Sequence, residues 1–253
     1  MSLVLVSALL LMSCKSQKDT VKSTTTTSEK DTAMMATQKD TLTKANGWRP
    51  LFDGKTFDGW HGYNANKISS EWTIQDGVMV LVPSDHPDGG RNLVTDKNYT
   101  DFILTLDWKV GEGSNSGFFW GVKEDKKYGE PYQTGPEVQI LDDERHPDAK
   151  NGISHQAGAL YDMIGISKPV TKPAGQWNTC MLEVNHKTNT GKIWLNGVEV
   201  VNFPVEGDGW KKLVDNSKFK NWDGFAQYPT GKIGLQFHGG AVSFKNIKIK
   251  ELN

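Results

Sequence analysis

Between Phe102 and Val110 the chain alternates without a break. Phe102, Leu104, Leu106, Trp108 and Val110 fall on one side, and Ile103, Thr105, Asp107 and Lys109 on the other. A period of two is that of a strand with one face in a core, so this segment is predicted to be a half-buried β-strand. The pattern returns in GKIGLQFHGG, where Ile233, Leu235 and Phe237 oppose Gly234, Gln236 and His238, and in NTCMLEVNH, where Cys180, Leu182 and Val184 point inward. Asn196-Gly197 and Asp76-Gly77 separate further apolar runs. Both dipeptides supply the left-handed residues that a two-residue type I′ hairpin needs. No convincing amphipathic helix and no βαβ rhythm interrupt the series. So much one-sided strand must bury its apolar face against another sheet, which predicts an all-β sandwich of two antiparallel sheets, with a closed barrel as the second choice.

The first 46 residues follow a different pattern. Leu3 to Met12 is an apolar run too short to cross a bilayer, and it ends at LMSC. Leu11 and Ser13 before Cys14 have the form of a bacterial lipoprotein signal, so residues 1–14 are expected to be a signal peptide that leaves Cys14 lipidated. Residues 15–46 are polar, rich in Thr, Lys and Ser, and without periodicity, which predicts a disordered tether spanning about 30 Å. The folded part is then 47–253. The expected location is the periplasmic or surface side of the cell envelope, with the lipid as the membrane contact.

Composition removes some partners. The net charge of −1 gives no electrostatic reason to propose nucleic acid. With Cys14 lipidated, Cys180 has no partner for a disulfide, and its inward position argues against a catalytic thiol. Nine Trp residues suit either a core or the flat wall of a sugar-binding trough. Trp120, in NSGFFWGV beside Asn115 and Gly117, is the one most readily placed in such a wall.

The stretch GPEVQILDDE at 135–144 poses the chemical question. Glu137 and Gln139 share a face at offset two, whereas Asp142, at offset five, joins them only if a β-bulge inserts one residue. The stretch is therefore an active-site strand with two carboxylates, or an edge strand ending in an acidic turn.

Several motifs together resemble the 3-keto-disaccharide hydrolase domain family: LFDGKTFDGW, NSGFFWGV, GPEVQILDDE, GALYDM, KPAGQWN, IWLNG and GKIGLQFHGG followed by VSFKNIKIKEL. The resemblance runs over Leu51 to Leu252. It implies a concanavalin A-like jelly roll, and family members occur as lipoproteins in Bacteroidetes, in keeping with Cys14. GPEVQILDDE also resembles, at a distance, laminarinase-type glucanases of that fold, which carry Glu, Asp and Glu at offsets of zero, two and five. Here Gln139 and Asp142 replace the second and third, which argues against the ordinary retaining mechanism.

What the family resemblance implies is an enzyme acting on sugars already oxidised to a ketone at C3. The ketone acidifies the C2 hydrogen, so proton abstraction, elimination of the C1 oxygen and addition of water give net hydrolysis. Glu137 and Asp142 are the first candidates for the acid and base, with Gln139 orienting substrate and His155 next as a proton carrier. Tyr161, Gln236 and His238, with Asn115 and Trp120, would complete the substrate wall. No cofactor is required, although Asp142, Asp143, Glu144 and His146 leave room for a divalent cation such as calcium; a solvated loop is the plainer reading of that cluster. The substrate is a small keto-sugar, and a separate C3 sugar dehydrogenase would supply it. Two other readings stay open, a non-catalytic carbohydrate-binding domain and an ordinary glucanase.

Overall fold

The computed structural model describes residues 46–252. The expectations for the signal peptide, for Cys14 and for the tether up to residue 45 lie outside the described residues. The strands are β1 (Arg49–Pro50), β2 (Trp60–Gly62), β3 (Trp72–Gln75), β4 (Val78–Leu81), β5 (Leu93–Thr95), β6 (Phe102–Val110), β7 (Asn115–Val122), β8 (Glu137–Leu141), β9 (Asn178–Asn185), β10 (Thr190–Leu195), β11 (Val198–Phe203), β12 (Lys232–Leu235) and β13 (Val242–Glu251). One sheet has the order β11-β10-β9-β6-β13-β4-β3, with β1 also on β13; the other has the order β2-β5-β12-β7-β8. Every ladder is antiparallel, as a jelly-roll sandwich requires.

The alternating segments fold as their period dictates. Along β6 every second side chain is buried, and Leu104, Leu106 and Trp108 meet Phe118, Val138, Ile140 and Leu235 of the smaller sheet in one core. Such side chains contribute about 1.5–3 kcal/mol each on leaving water. Cys180 lies in this core, where burial pushes its thiol up to about 12. Asn196-Gly197 and Asp76-Gly77 all have positive φ, as type I′ turns demand, and close the β10–β11 and β3–β4 hairpins.

One helix departs from the sequence reading. Gly207–Asp215 forms α1, whose Trp210 and Leu213 pack against the core. Three residues apart on a nine-residue helix, these two side chains share a face, but two glycines and the short length hide the pattern.

The smaller sheet carries the consequence for function. Its inner face is apolar, while Asn115, Gly117 and Phe119 of β7 and Glu137 and Gln139 of β8 share the outer face. The outer edge of β8 does not stay open. Gly158–Tyr161 runs along it, with Gly158 N donating to Gln139 O at 2.8 Å, Gln139 N to Ala159 O at 3.1 Å and Tyr161 N to Glu137 O at 3.0 Å. This satisfies the edge and sets Tyr161 beside Glu137.

Candidate active site

A hollow of about 310 Å³ opens on that outer face, lined by Asn115, Tyr132, Glu137, Gln139, Tyr161, Lys218, Phe219, Trp222, Gln236 and His238. The floor comes from the β7–β8 register, in which Phe119 faces Glu137 and Gly117 faces Gln139. Gly117 makes room for the Glu137 carboxyl: a Cβ there would overlap Oε1 and lie 2.8 Å from Cδ. Gln236 follows β12, its N–H donating to Gly117 O at 2.9 Å.

Electrostatics single out Glu137. It is 7% exposed, and burial pushes its carboxyl up to about 8 against the opposing pull of the Lys218 ammonium; Asp148 adds to the rise. A carboxyl near 8 exchanges a proton readily at neutral pH. Two buried acceptors in the same hollow, Asn115 Oδ1 and Gln236 Oε1, have no hydrogen-bond partner in the protein. Buried polar atoms are rarely left so, and here they fit the hydroxyls of a ligand.

Behind this floor lies a network centred on Asp148. Tyr161 donates to Asp148 Oδ2 at 3.0 Å, Gln139 Nε2 reaches the same oxygen at 3.4 Å, and Asn151 donates to Oδ1 at 2.9 Å. Burial works against the Asp148 anion, but the donors from Asn151, Tyr161 and His155 hold it below the usual carboxylate range. Lys218 Nζ donates to Tyr161 Oη at 3.0 Å and lies 4.1 Å from the ring centroid. Its backbone N–H donates to Asp162 Oδ2 at 2.7 Å, which fixes the loop that carries it.

That loop also brings an aromatic wall. Phe219 stacks on Phe225 with centroids 4.0 Å apart, Trp222 stands at 83° to Phe219, and Tyr132 meets Trp222 at 5.9 Å. Flat apolar faces beside unpaired polar atoms suit a sugar ring, which has an apolar face and a polar rim.

The structure therefore gathers Asn115, Glu137, Gln139, Tyr161, Gln236 and His238 in one hollow, and places three other candidates elsewhere. The β7–β8 register runs from Asn115–Leu141 to Phe119–Glu137 without a shift, and Asp142 N continues it by donating to Ser114 O at 3.0 Å. With no bulge in β8, Asp142 turns to the opposite side from Glu137. Its carboxylate instead accepts from Gly113 N, Glu144 N and Arg145, and these donors hold it below the usual range despite burial. A bulge does exist, but in β7 opposite Lys232 to Gly234, where Gly121 has φ of 63°.

Trp120 packs in the core against Phe203 at 5.8 Å, because the strand face that offers Gly117 to the hollow turns Trp120 inward. His155 stands one layer behind the hollow, held between Asp148 at 3.0 Å and Asp162 at 3.1 Å, with its ring edge-on to Tyr161 at 4.8 Å. It positions Asp148 and Tyr161. The acidic cluster after β8 builds a turn: Asp143 accepts from Ala157 N and His146 Nδ1 from Asp148 N. Among the described residues, no three His, Cys, Asp or Glu side chains gather as metal ligands.

Lys218, Tyr132, Phe219 and Trp222 were not anticipated. The sequence signal for Lys218, Phe219 and Trp222 was KFKNWDGF, an aromatic and basic loop that matches neither period, whereas Tyr132 comes from the separate turn GEPYQTG.

Known proteins share the sequence pattern and the fold of this chain. Residues 47–250 match the model of the 3-keto-alpha-glucoside-1,2-lyase-like domain. A 3-keto-disaccharide hydrolase of Bacteroides thetaiotaomicron is 34% identical over 96% of this chain and 94% of its own. A solved structure from Parabacteroides distasonis, provisionally named a glycosyl hydrolase, is 34% identical with a TM-score of 0.77, covering 84% of this chain and 97% of that one. A second from the same organism, under the same provisional name, is 28% identical with a TM-score of 0.64, covering 81% and 99%.

Proposed function

The chain belongs to the 3-keto-alpha-glucoside-1,2-lyase-like family and is a hydrolase of glycosidic bonds, and from that premise we propose that its substrates are glucosides already oxidised to a ketone at C3. The observation that carries the proposal is Glu137, a buried carboxyl near 8 and the sole carboxylate among the residues lining the hollow. Ordinary glycoside hydrolysis uses two carboxylates flanking the bond. Elimination needs one group that moves a proton.

In this mechanism ionised Glu137 takes the C2 proton, and the electron pair moves into the C2–C3 bond as the ketone oxygen becomes an enolate. Lys218, held by Tyr161, neutralises the developing charge. The enolate re-forms the ketone, C1–C2 becomes a double bond, and the C1–O bond breaks. Protonated Glu137 returns its proton to the departing oxygen. Water then adds across C1 and C2, its oxygen to C1, and the sum is hydrolysis. Asn115 and Gln236 accept hydroxyls, while Trp222 and Phe219 hold the ring.

A separate C3 sugar dehydrogenase would supply the substrate, and a lipid on Cys14 would keep the enzyme at the cell envelope. The test is product analysis by mass spectrometry in deuterium oxide, with 3-keto-trehalose and trehalose as substrates. Cleavage of the keto sugar alone, with deuterium at C2 of the released keto-glucose, is expected. Cleavage of trehalose, or cleavage without deuterium at C2, would sink the mechanism.

A further inference from the structure

Next to the hollow over Glu137 lies a second, of about 450 Å³, and Tyr132 and His238 line both. Its other walls include Arg91, Asn92, Glu130 and Phe237, with Gly89 and Gly129 at the rim. The arrangement is built. Arg91 donates through Nε and Nη2 to Glu71 at 2.6 and 2.8 Å, and its guanidinium covers the Phe237 ring at 3.6 Å. Asn92 donates to Glu130 Oε2 at 2.7 Å and accepts from Phe237 N at 2.8 Å. The Gly89 loop is pinned by Asp88, which accepts from Lys67 at 2.7 Å and from Ser70 N at 2.8 Å. Walls held in this way are present before a ligand arrives.

We propose that this hollow is a second sugar subsite, which receives the unoxidised ring of a disaccharide while the keto ring sits over Glu137. The inference rests on the function proposed above and names the shape of its substrate. Three features support it. The two hollows meet at a ridge of two side chains, so one ligand can occupy both. The lining offers a guanidinium and an amide as donors and a carboxyl as acceptor, which matches neighbouring hydroxyls of a neutral hexose. Arg91 is neutralised by Glu71 and the lining adds the Glu130 carboxyl, so the hollow has no excess positive charge to favour a phosphate or an acidic sugar. The second ring therefore lies on the leaving-group side, and the enzyme discriminates by aglycone.

Gly129 provides a clean variant. A Cβ there meets nothing nearer than Gln133 Oε1 at 3.7 Å, so Gly129→Trp fills the hollow without straining the backbone. With the full chain, Gly129→Trp and Glu130→Ala should each lower kcat/KM for a 3-keto-disaccharide about tenfold or more, chiefly through KM, and leave methyl 3-keto-glucoside within about twofold. Equal losses on both substrates, or none on the disaccharide, would overturn the subsite.

A second arm does not depend on the keto chemistry. Methyl α-glucoside, which has no ketone, is titrated into the isotopically labelled full chain and followed by NMR. Shifts at Asn92, Gly129 and Glu130 that vanish in Gly129→Trp support the subsite; no shifts, or shifts that persist in the variant, overturn it. If the unaltered protein cleaves neither keto substrate, the proposed function fails, and this titration still decides the subsite.

Discussion

Replacing Glu137 with glutamine removes the proton from the centre of the hollow while keeping side-chain size, and its effect on stability can be worked out. An ordinary glutamate titrates near 4.5, and burial pushes Glu137 to about 8. Below 4.5 the carboxyl is neutral in both folded and unfolded chains, and its burial carries no ionisation penalty. Between the two values the unfolded chain releases its proton and the folded chain keeps it, so stability falls as pH rises and the loss is complete above 8. At about 1.4 kcal/mol per pH unit, the penalty is about 3 kcal/mol at pH 7 and about 5 kcal/mol above pH 9. Glu137→Gln has no such penalty. Urea unfolding of both proteins at pH 5, 7 and 9 should show the variant gaining about 4 kcal/mol relative to the parent across that range. A change in hydrogen bonding to Gln236 would shift all three differences together and leave their slope intact. A difference that stays constant from pH 5 to 9 would refute the reasoning.

Other perturbations test the same site and its frame. In the parent, kcat/KM should rise with pH through an apparent value near 8 as Glu137 ionises to act as base; a fall through that range would assign it the acid role alone. Lys218→Met removes the ammonium that opposes the upward push on Glu137, so the rising limb should move to higher pH and kcat should drop about 10²-fold; an unmoved limb would separate Lys218 from Glu137. Gly117→Ala sets a methyl group against the Glu137 carboxyl, and kcat should fall about 10²-fold with the fold retained by circular dichroism; full activity would mean that the carboxyl position is not needed. Arg91→Met leaves the Glu71 carboxylate buried without its bidentate partner, which should cost about 3–5 kcal/mol in urea unfolding. A loss below about 1 kcal/mol would show that Ser69 and the Ser84 N–H suffice for Glu71.

Much of this protein is legible without coordinates, because a period of two is local. The alternation of β6, β9 and β12 assigns core and outer faces, and the Asn-Gly and Asp-Gly turns set two hairpins. Glu137 and Gln139 share a face by the same rule, and so do Gln236 and His238. Asp142 failed because its place depended on a bulge, and register is settled across a ladder. The pairing of Asn115 with Leu141 and of Phe119 with Glu137 decides it. Trp120 failed for a related reason: Trp serves core and ligand wall equally well, and only the strand's neighbours choose between them.

What the sequence by itself determined is the sandwich, the faces of its strands and the placing of Glu137 and Gln139 on one face. Tertiary structure decided what surrounds that carboxylate. Lys218 and Trp222 arrive from a loop some eighty residues downstream, Tyr161 from a segment that covers the β8 edge, and Asp148 from the turn between them. Burial pushes the proton on Glu137 into the neutral range. Burial and proximity are sums over groups distant in the chain, so they exist only once the chain has folded.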